Sequence, residues 1–298
     1  GISSWVGGDL IAGILATGLH ERDDITMLID VGTNGEIILG NKDWLMACSA
    51  STGPALEGAS VACGMIAEKG AIEKVYVEDG RLCFKVIGNA PPKGLCGSGI
   101  IDLIALLLDR GVIDRAGQFV RLPDGGQVKE GQSRHDEIKF KAGRGRFVIA
   151  RKADGAARDI YLAQDDIDNV ITAKAAVFAA TKIMLDRLNL DFSQITHVFL
   201  AGGFGSYIDR RNAIKIGLLP DLPLSRIQYV GNTSIWGAKL AACSSVAFRE
   251  MHDIRKKTTY YDLLGSTDYL DQFRQAMFLP HTNVDLFPSL AEDEVAAA

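Results

Sequence analysis

The sequence lacks any two cysteines in a C-x-x-C arrangement, and its cysteines are odd in number. The five are Cys48, Cys63, Cys83, Cys96 and Cys243. Disulfide frameworks, zinc sites and iron–sulfur sites are built from paired or clustered cysteines, so none of these is indicated. We expect buried free thiols in a protein of the reducing cytoplasm.

An excess of positive charge is also missing. The chain has 32 Lys and Arg against 37 Asp and Glu, a net charge of -5, and no basic run with interleaved aromatic residues. Nucleic acid is therefore not an expected partner. The first residues carry no basic segment, and Asp9 interrupts the first apolar run, which argues against a signal peptide and a membrane span. Because no initiator Met is present, we expect a fragment of a longer protein.

Short apolar runs separated by tight-turn residues predict two groups of antiparallel strands in the first half of the chain. The first group has three strands, at 25–31, 36–39 and 44–48. The second is a hairpin that pairs 75–77 with 82–86. The segment Gly-Leu-Cys-Gly-Ser-Gly then begins a helix that is apolar nearly all round, and we expect that helix to be buried.

Strands alternate with helices in the second half, which predicts an α/β fold. Asp165 and Asp166 are expected to cap a long helix that ends near Leu188. Further elements are predicted as a strand at 195–201, a helix at 209–217, a strand at 227–230 and a helix from about Ser234. Three antiparallel strands followed by this alternation give the order of a ribonuclease-H-like layer. Residues 114–163 are interpreted as a small inserted β-rich subdomain with mobile loops around 123–136.

The hairpin turn at Asp30-Val31-Gly32-Thr33-Asn34-Gly35 is the first candidate site. Glycines let backbone N–H groups approach an anion closely, and Thr33 and Asn34 add side-chain donors. Asp30, at the end of a strand, could hold Mg²⁺ directly or through water, because this ion prefers oxygen ligands. The alternative is a plain hairpin with Asn-Gly at its turn.

A second glycine turn, Gly202-Gly203-Phe204-Gly205, ends an apolar strand. In open α/β sheets, ligands bind at the carboxyl ends of strands, often on turns that lead into helices. The turn does not match G-x-G-x-x-G, so a dinucleotide site is weakly supported, and a purely structural turn is an equal alternative.

Gly97, Ser98 and Gly99 stand at the start of the buried helix, where glycines favour an anion. Glu57 lies in a loop of small residues after the hairpin and could position water or metal, although an ordinary loop carboxylate is the commoner case. Asp30 is the leading candidate for the metal role, and Glu57 and Glu36 are both weaker candidates.

Four segments, IDVGTNGEI, TGPALEGA, GLCGSGIIDLIALL and VFLAGGFGSYID, resemble the C-terminal domain of the reductive activators of corrinoid proteins. That domain belongs to the superfamily of acetate and sugar kinases, heat-shock 70 proteins and actin. The resemblance runs in order from about Trp5 to Pro280. It implies an α/β fold: a ribonuclease-H-like (actin-like ATPase) half-fold with three antiparallel strands plus parallel strands. A small β-rich subdomain would be inserted in it.

The resemblance also implies roles for individual residues. Asp30, Gly32, Thr33 and Asn34 would face the phosphates and Mg²⁺ of ATP, with Asp30 as the metal ligand. Gly202, Gly203 and Gly205 would face the adenosine, and Gly97 to Gly99 would lie near the cleft. Only one phosphate hairpin is present, so the other, with most of a first half-fold, is expected upstream of Gly1.

The implied domain limits divide the chain into four parts. They are the end of the first half-fold at 1–24, the actin-like ATPase domain at 25–113 and 164–258, the inserted subdomain at 114–163, and an extension with a disordered tail at 259–298.

The implied activity is ATP hydrolysis that drives an electron onto a Co(II) corrinoid partner, either a corrinoid protein or a methyltransferase. The [2Fe–2S] cluster of such an activator is expected only in an N-terminal domain outside this chain. A small-metabolite kinase of the same superfamily is one alternative. A non-catalytic module for partner docking or homodimerisation is the other.

Overall fold

The computed structural model describes residues 6–120, 138–141, 144–202, 208–263 and 265–291, without the side chains of 138–141, 144 and 154. The strands are β1 (Thr26–Val31), β2 (Asn34–Gly40), β3 (Leu45–Ser51), β4 (Ala71–Glu78), β5 (Arg81–Val86), β6 (Gly94–Leu95), β7 (Ile138–Lys141), β8 (Arg144–Ala150), β9 (Ile160–Ala163), β10 (His197–Ala201), β11 (Ile227–Gly231) and β12 (Thr258–Tyr260). The α-helices are α1 (Gly8–Thr17), α2 (Gly97–Asp109), α3 (Gln164–Arg187), α4 (Arg210–Lys215), α5 (Thr233–Cys243), α6 (Ser245–Lys257) and α7 (Thr267–Ala276).

Six strands form one mixed sheet in the order β11-β10-β1-β2-β3-β12. β1, β2 and β3 are antiparallel neighbours joined by short turns, whereas β10 runs parallel to β1 and β11 parallel to β10. Parallel neighbours need a crossover connection, which here includes α3 between β3 and β10 and α4 between β10 and β11. The predicted order of three antiparallel strands followed by alternating helices and strands is confirmed.

Both faces of this sheet are covered by helices. Leu28, Ile38 and Ala47 pack in one cluster with the apolar residues of α1 and Ile254 of α6. Ile29 and Ile37 pack on the opposite face with residues of α2 and α3. Because β1 is buried on both faces, its sequence is a nearly continuous apolar run instead of an alternating one. Asp30 is the charged residue in that run, and it occupies the same face as Leu28.

Glycines allow α1 and α5 to cross at very short range. A Cβ atom added to Gly237 would lie 1.9 Å from the carbonyl oxygen of Ala12, and one added to Gly13 would lie 3.0 Å from Oγ1 of Thr233. Larger side chains at these positions would separate the helices. The crossing therefore fixes the first turn of α5 against the sheet, next to the end of β1.

Two smaller sheets complete the described chain, in the orders β5-β4-β6 and β7-β8-β9. β4 and β5 confirm the second predicted hairpin. The buried Asp102 of α2 accepts hydrogen bonds from Asn212 of α4 at 2.7 Å and from the N–H of Val75 at 3.2 Å, so it links three elements. Within the inserted segment, β7, β8 and β9 are described, while the loops predicted around 123–136 lie outside the described residues.

Two local predictions need correction. The hairpin turn was placed at Asp30–Gly35, but Val31 pairs with Gly35, so only Gly32–Asn34 form the loop. Asp165 and Asp166 are predicted to cap the long helix, and Asp166 does so, but from inside it, because α3 already begins at Gln164. Asp166 occupies the third helical position, where its carboxylate accepts the N–H of Ala163 at 2.8 Å as in a capping box.

The C-terminal part packs on the same body as the rest of the chain. β12 pairs with β3, and α7 lies against α3. The predicted tail at 292–298 lies outside the described residues. No helix in the described part of the chain has the length and apolar character needed to cross a bilayer.

Two cationic side chains hold the segment Phe278–His281 from opposite sides. The fully buried Lys174 of α3 donates from Nζ to the carbonyl oxygen of Phe278, and to that of Pro280 at 2.7 Å. Arg115 donates to the carbonyl oxygen of Leu279 at 3.3 Å and to that of His281. Successive carbonyl oxygens thus alternate between the two side chains. Burial holds the pKa of Lys174 well below its usual range.

Replacing Lys174 should destabilise the protein through this segment. Lys174→Met leaves two buried carbonyl oxygens without their donor, which predicts a loss of about 2 kcal/mol or more in the free energy of unfolding. The matched control is Lys182→Met on the same helix, which removes only a partly exposed pair with Asp186 and should cost less than about 1 kcal/mol. Urea unfolding of both variants measures the difference, and equal losses would contradict the assignment.

His281 should make stability depend on pH. Its side chain is buried, and burial, followed by the charge of Lys174, lowers its pKa from 6.5 to about 4. Between pH 4 and 6.5 the unfolded chain therefore holds a proton that the folded chain lacks. We expect the free energy of unfolding to fall as pH decreases through this window. His281→Asn, which keeps an acceptor for the N–H of Asn283, should reduce that fall when denaturation is measured at several pH values.

Candidate functional site

The hairpin loop Gly32–Asn34 lies at the carboxyl end of β1, between the paired residues Val31 and Gly35. Thr33 and Asn34 are exposed. Gly35 is required by packing, because a Cβ atom there would lie 2.9 Å from the methyl carbon of Thr52 and 3.1 Å from a methyl carbon of Val177. The loop is thus exposed on its outer side and closely supported on its inner side.

Thr52 supports the loop directly. It follows the last residue of β3, its side chain is buried, and its Oγ1 donates to the carbonyl oxygen of Gly32 at 2.7 Å and of Thr33 at 2.8 Å. One hydroxyl proton is shared between these two acceptors. Both carbonyl groups of the loop are therefore held toward the protein.

Asp30 and Gly202 lie side by side because β1 and β10 are parallel neighbours, with Asp30 in register with Ala201. A Cβ atom on Gly202 would stand 2.8 Å from Oδ1 of Asp30 and 2.9 Å from the carbonyl oxygen of Val31. Gly202 also has a φ of +94°, which disfavours other residues. The other carboxylate oxygen of Asp30 lies 3.5 Å from the hydroxyl of Ser234, in the first turn of α5.

Negative charge is concentrated around Asp30. Burial raises its pKa, and the nearby charge of Asp9, in the first turn of α1, raises it further. Glu36 stands directly opposite Asp30 in the β1–β2 pair. Burial, with the charges of Asp30 and Asp9, raises the pKa of Glu36 to about 7. A cation bound here would relieve this repulsion.

Glu57 reaches the other side of the loop. Its carboxylate oxygens lie 3.4 and 3.5 Å from Oγ1 of Thr33, and a Cβ atom on Gly32 would stand 3.4 Å from one of them. The structure therefore brings Asp30, Glu36 and Glu57 to the same hairpin. Among the described residues, no three His, Cys, Asp or Glu side chains converge as a metal site.

Gly97, Ser98 and Gly99 form the first turn of α2, and Ser98 and Gly99 contact β4. All three are buried. Ser98 donates to the carbonyl oxygen of Glu73 at 2.7 Å, and a Cβ atom on Gly99 would lie 2.3 Å from the carbonyl oxygen of Ile72. Close packing of α2 on β4 accounts for this glycine, and a role near the cleft stays a prediction. Gly203 and Gly205 lie outside the described residues.

Sequence reasoning gave no role to Thr52, Asp9 or Ser234. Thr52 was included only as part of a loop of small residues. Ser234 was noted only as the approximate start of a helix. The sequence Asn-Thr-Ser directly after β11 carries a recognisable signal, because Asn is a frequent N-cap, and the side chain of Asn232 accepts the N–H of Ile235 at 3.0 Å.

A protein-family comparison identifies the family of this chain. The family model described as the C-terminal domain of RACo, the ASKHA domain, matches residues 24–291. The chain belongs to this family. The resemblance drawn from the four sequence segments is thereby confirmed, and so is the actin-like α/β fold.

Individual relatives agree with the assignment. The chain is 34% identical over 276 residues to the corrinoid activation enzyme RamQ of Eubacterium limosum, which covers 91% of this chain and 45% of that protein. It is 25% identical over 284 residues to the [Co(II) methylated amine-specific corrinoid protein] reductase of Methanosarcina barkeri, covering 88% of this chain and 47% of that protein.

A solved structure is similar over nearly the whole chain. The reductive activator for corrinoid, iron-sulfur protein matches with a TM-score of 0.88 and 43% identity, over 97% of this chain and 45% of that one. This ASKHA-domain chain thus spans about half the length of the relatives that it matches.

Gly202→Ala tests how closely the two strand ends approach. The new methyl group would meet Asp30 and the Val31 carbonyl in addition to the unfavourable φ, which predicts a loss of about 2–4 kcal/mol in the free energy of unfolding. Gly231→Ala is the matched control, because Gly231 has a φ of +69° but a Cβ atom added there would meet open space. Its loss should be about 1 kcal/mol. Losses of equal size would refute the close contact.

Proposed function

We propose that this chain is the ATP-binding and ATP-hydrolysing domain of a reductive activator of corrinoid proteins. The observation that carries the proposal is the convergence of Asp30, the loop Gly32–Asn34 and Gly202 at one edge of the sheet in a member of this family. Carboxyl ends of adjacent parallel strands are where open α/β sheets bind their ligands.

The loop Gly32–Asn34, with Gly35 behind it, would bind the phosphates of ATP. Thr33 and Asn34 are exposed and offer hydroxyl and amide donors in addition to backbone N–H groups. Gly202, at the end of the neighbouring strand, would border the adenosine side together with Gly203 and Gly205. Binding would hold the terminal phosphate close to Asp30, so that most of catalysis is positioning and electrostatic stabilisation.

The residues present fit a magnesium ion held mainly through the nucleotide. Mg²⁺ commonly takes one or two protein carboxylates and completes its shell with phosphate oxygens and water. Asp30 offers such a carboxylate next to the charge of Asp9, which together with burial raises the pKa of Asp30. When bound, the ion would neutralise charge that develops on the transferred phosphate.

Glu57 is the better placed of the two candidates for orienting the attacking water. Its carboxylate lies against Thr33 and Gly32, on the loop itself. Glu36 lies inside the sheet opposite Asp30, where burial favours its protonated form. A protonated carboxyl group is a poor acceptor for the proton of water, so we assign the orienting role to Glu57.

ATP hydrolysis would drive an electron onto a Co(II) corrinoid held by a partner protein. The names of the relatives support this role, since they describe corrinoid activation or reduction. The electron would come from a [2Fe–2S] cluster in another domain. The cysteines of this chain support that placement: Cys48, Cys63 and Cys96 are buried, Cys83 is half-buried, and Cys243 is on the surface. Cytoplasmic location and homodimerisation stay predictions.

Asp30→Ala is expected to abolish MgATP hydrolysis and to leave the fold intact. Removing a carboxylate that is costly to bury should not lower stability, whereas loss of the metal ligand should weaken MgATP binding by about 10-fold or more. Calorimetric titration with MgATP and phosphate release measure the two effects. Asp79→Asn, an exposed carboxylate in the β4–β5 turn, is the control and should behave like the wild type.

The outcomes separate the proposals. Hydrolysis that survives in Asp30→Ala overturns the role of Asp30. Binding of MgATP without hydrolysis, and with phosphate transferred to an added small metabolite, favours a kinase. If the wild-type chain neither binds MgATP nor is stabilised by it against heat, a nucleotide site in this chain is refuted.

A further inference from the structure

We propose that Thr52 is a positioning residue that aims the backbone N–H groups of Thr33 and Asn34 at a phosphate. This inference rests on the proposed function, since it concerns the same nucleotide site. It adds a residue outside the loop that creates the binding geometry of the loop.

Peptide geometry connects Thr52 to these N–H groups. A trans peptide unit is planar, and its C=O and N–H bonds point in opposite directions. The carbonyl of Gly32 shares its unit with the N–H of Thr33, and the carbonyl of Thr33 shares its unit with the N–H of Asn34. Because Thr52 binds both carbonyl oxygens, at 2.7 and 2.8 Å, both N–H groups are directed away from it.

Thr52 and Asp30 lie on opposite faces of the sheet. The methyl group of Thr52 and Val177 of α3 both stand against Gly35, on the face of the sheet that α3 covers. Asp30 lies on the opposite face, with Asp9 and Ser234. The N–H groups of Thr33 and Asn34 thus point away from Thr52, and the proposal places the phosphate between them and Asp30.

Without Thr52 the loop would be free to turn its carbonyl oxygens outward. Carbonyl oxygens repel phosphate, whereas two successive N–H groups form a concave site that attracts it. Thr52 is suited to fix one arrangement, because a β-branched side chain is stiff about χ1. Its methyl group packs under Gly35 while its hydroxyl binds the loop.

A structural brace without any binding role is the competing explanation, and conservative variants distinguish the two. Thr52→Val keeps the shape and removes the hydroxyl, while Thr52→Ser keeps the hydroxyl and removes the methyl group. Thr258→Val is the matched control. Thr258, the first residue of the edge strand β12, is also buried, and its hydroxyl donates to the backbone carbonyl oxygen of Ile254 at 2.7 Å.

The first measurement is the affinity for MgATP by calorimetry. We expect Thr52→Val to bind about 10-fold or more weakly than the wild type, because two phosphate donors lose their orientation. Thr52→Ser should remain within about 3-fold of the wild type, and Thr258→Val should bind normally even if its melting temperature falls. Wild-type affinity in Thr52→Val, or equal weakening in Thr52→Ser, would overturn the inference.

The second measurement follows the amide signals of Thr33 and Asn34 by nuclear magnetic resonance during titration with pyrophosphate. In the wild type both signals should shift, and in Thr52→Val the shifts should be lost. If the wild type shows these shifts but does not bind MgATP, the proposed ATPase function fails and the role of Thr52 stands. If MgATP binds and neither signal moves with either ligand, the role of Thr52 fails and the ATPase proposal stands. Neither binding nor shifts would refute both.

Discussion

The parallel pairing of β1 with β10 is the interaction on which the candidate site depends. Asp30 and Gly202 are more than 150 residues apart in the chain, yet the register of the two strands places Asp30 opposite Ala201, directly before Gly202. The left-handed φ of Gly202 and the absence of a side chain then let its backbone pass within contact distance of the carboxylate. A one-residue shift in register would turn Asp30 and its neighbours to other partners.

The same edge of the sheet carries groups that are costly for folding. Asp30 and Glu36 face each other across β1 and β2, and Asp9 approaches from α1, so burial and repulsion raise the pKa of both strand carboxyls. Ordinary packing would favour apolar residues at these positions, as found at Leu28 and Ile38 farther along the same face. Unfavourable groups that persist in a stable fold are typical of functional sites. A bound cation with its phosphates would compensate for them.

Support for the site comes from elements that make no contact with the proposed ligand. The glycine crossing of α1 and α5 places Ser234 next to Asp30, and Val177 of α3 fills the space under Gly35. Lys174, one turn before Val177, fixes the C-terminal segment to the same helix. The sheet that carries the site is therefore supported by helices on both faces. Such support holds the site residues in fixed positions, as catalysis by positioning requires.

Much of this protein follows from short-range sequence signals. The Gly-Thr-Asn-Gly sequence between two apolar runs is a strong hairpin signal. The alternation of strands with helices in the second half predicts an α/β sheet. Local patterns left other questions open. Glycines at Gly97 and Gly99 suit an anion or a close helix contact equally well, and only the carbonyl of Ile72 beneath Gly99 shows that packing uses it. Thr52 contacts the loop because the β2–β3 register places it beneath residues that lie about 20 positions earlier in the chain. Contacts between residues so far apart in sequence are set by the tertiary structure.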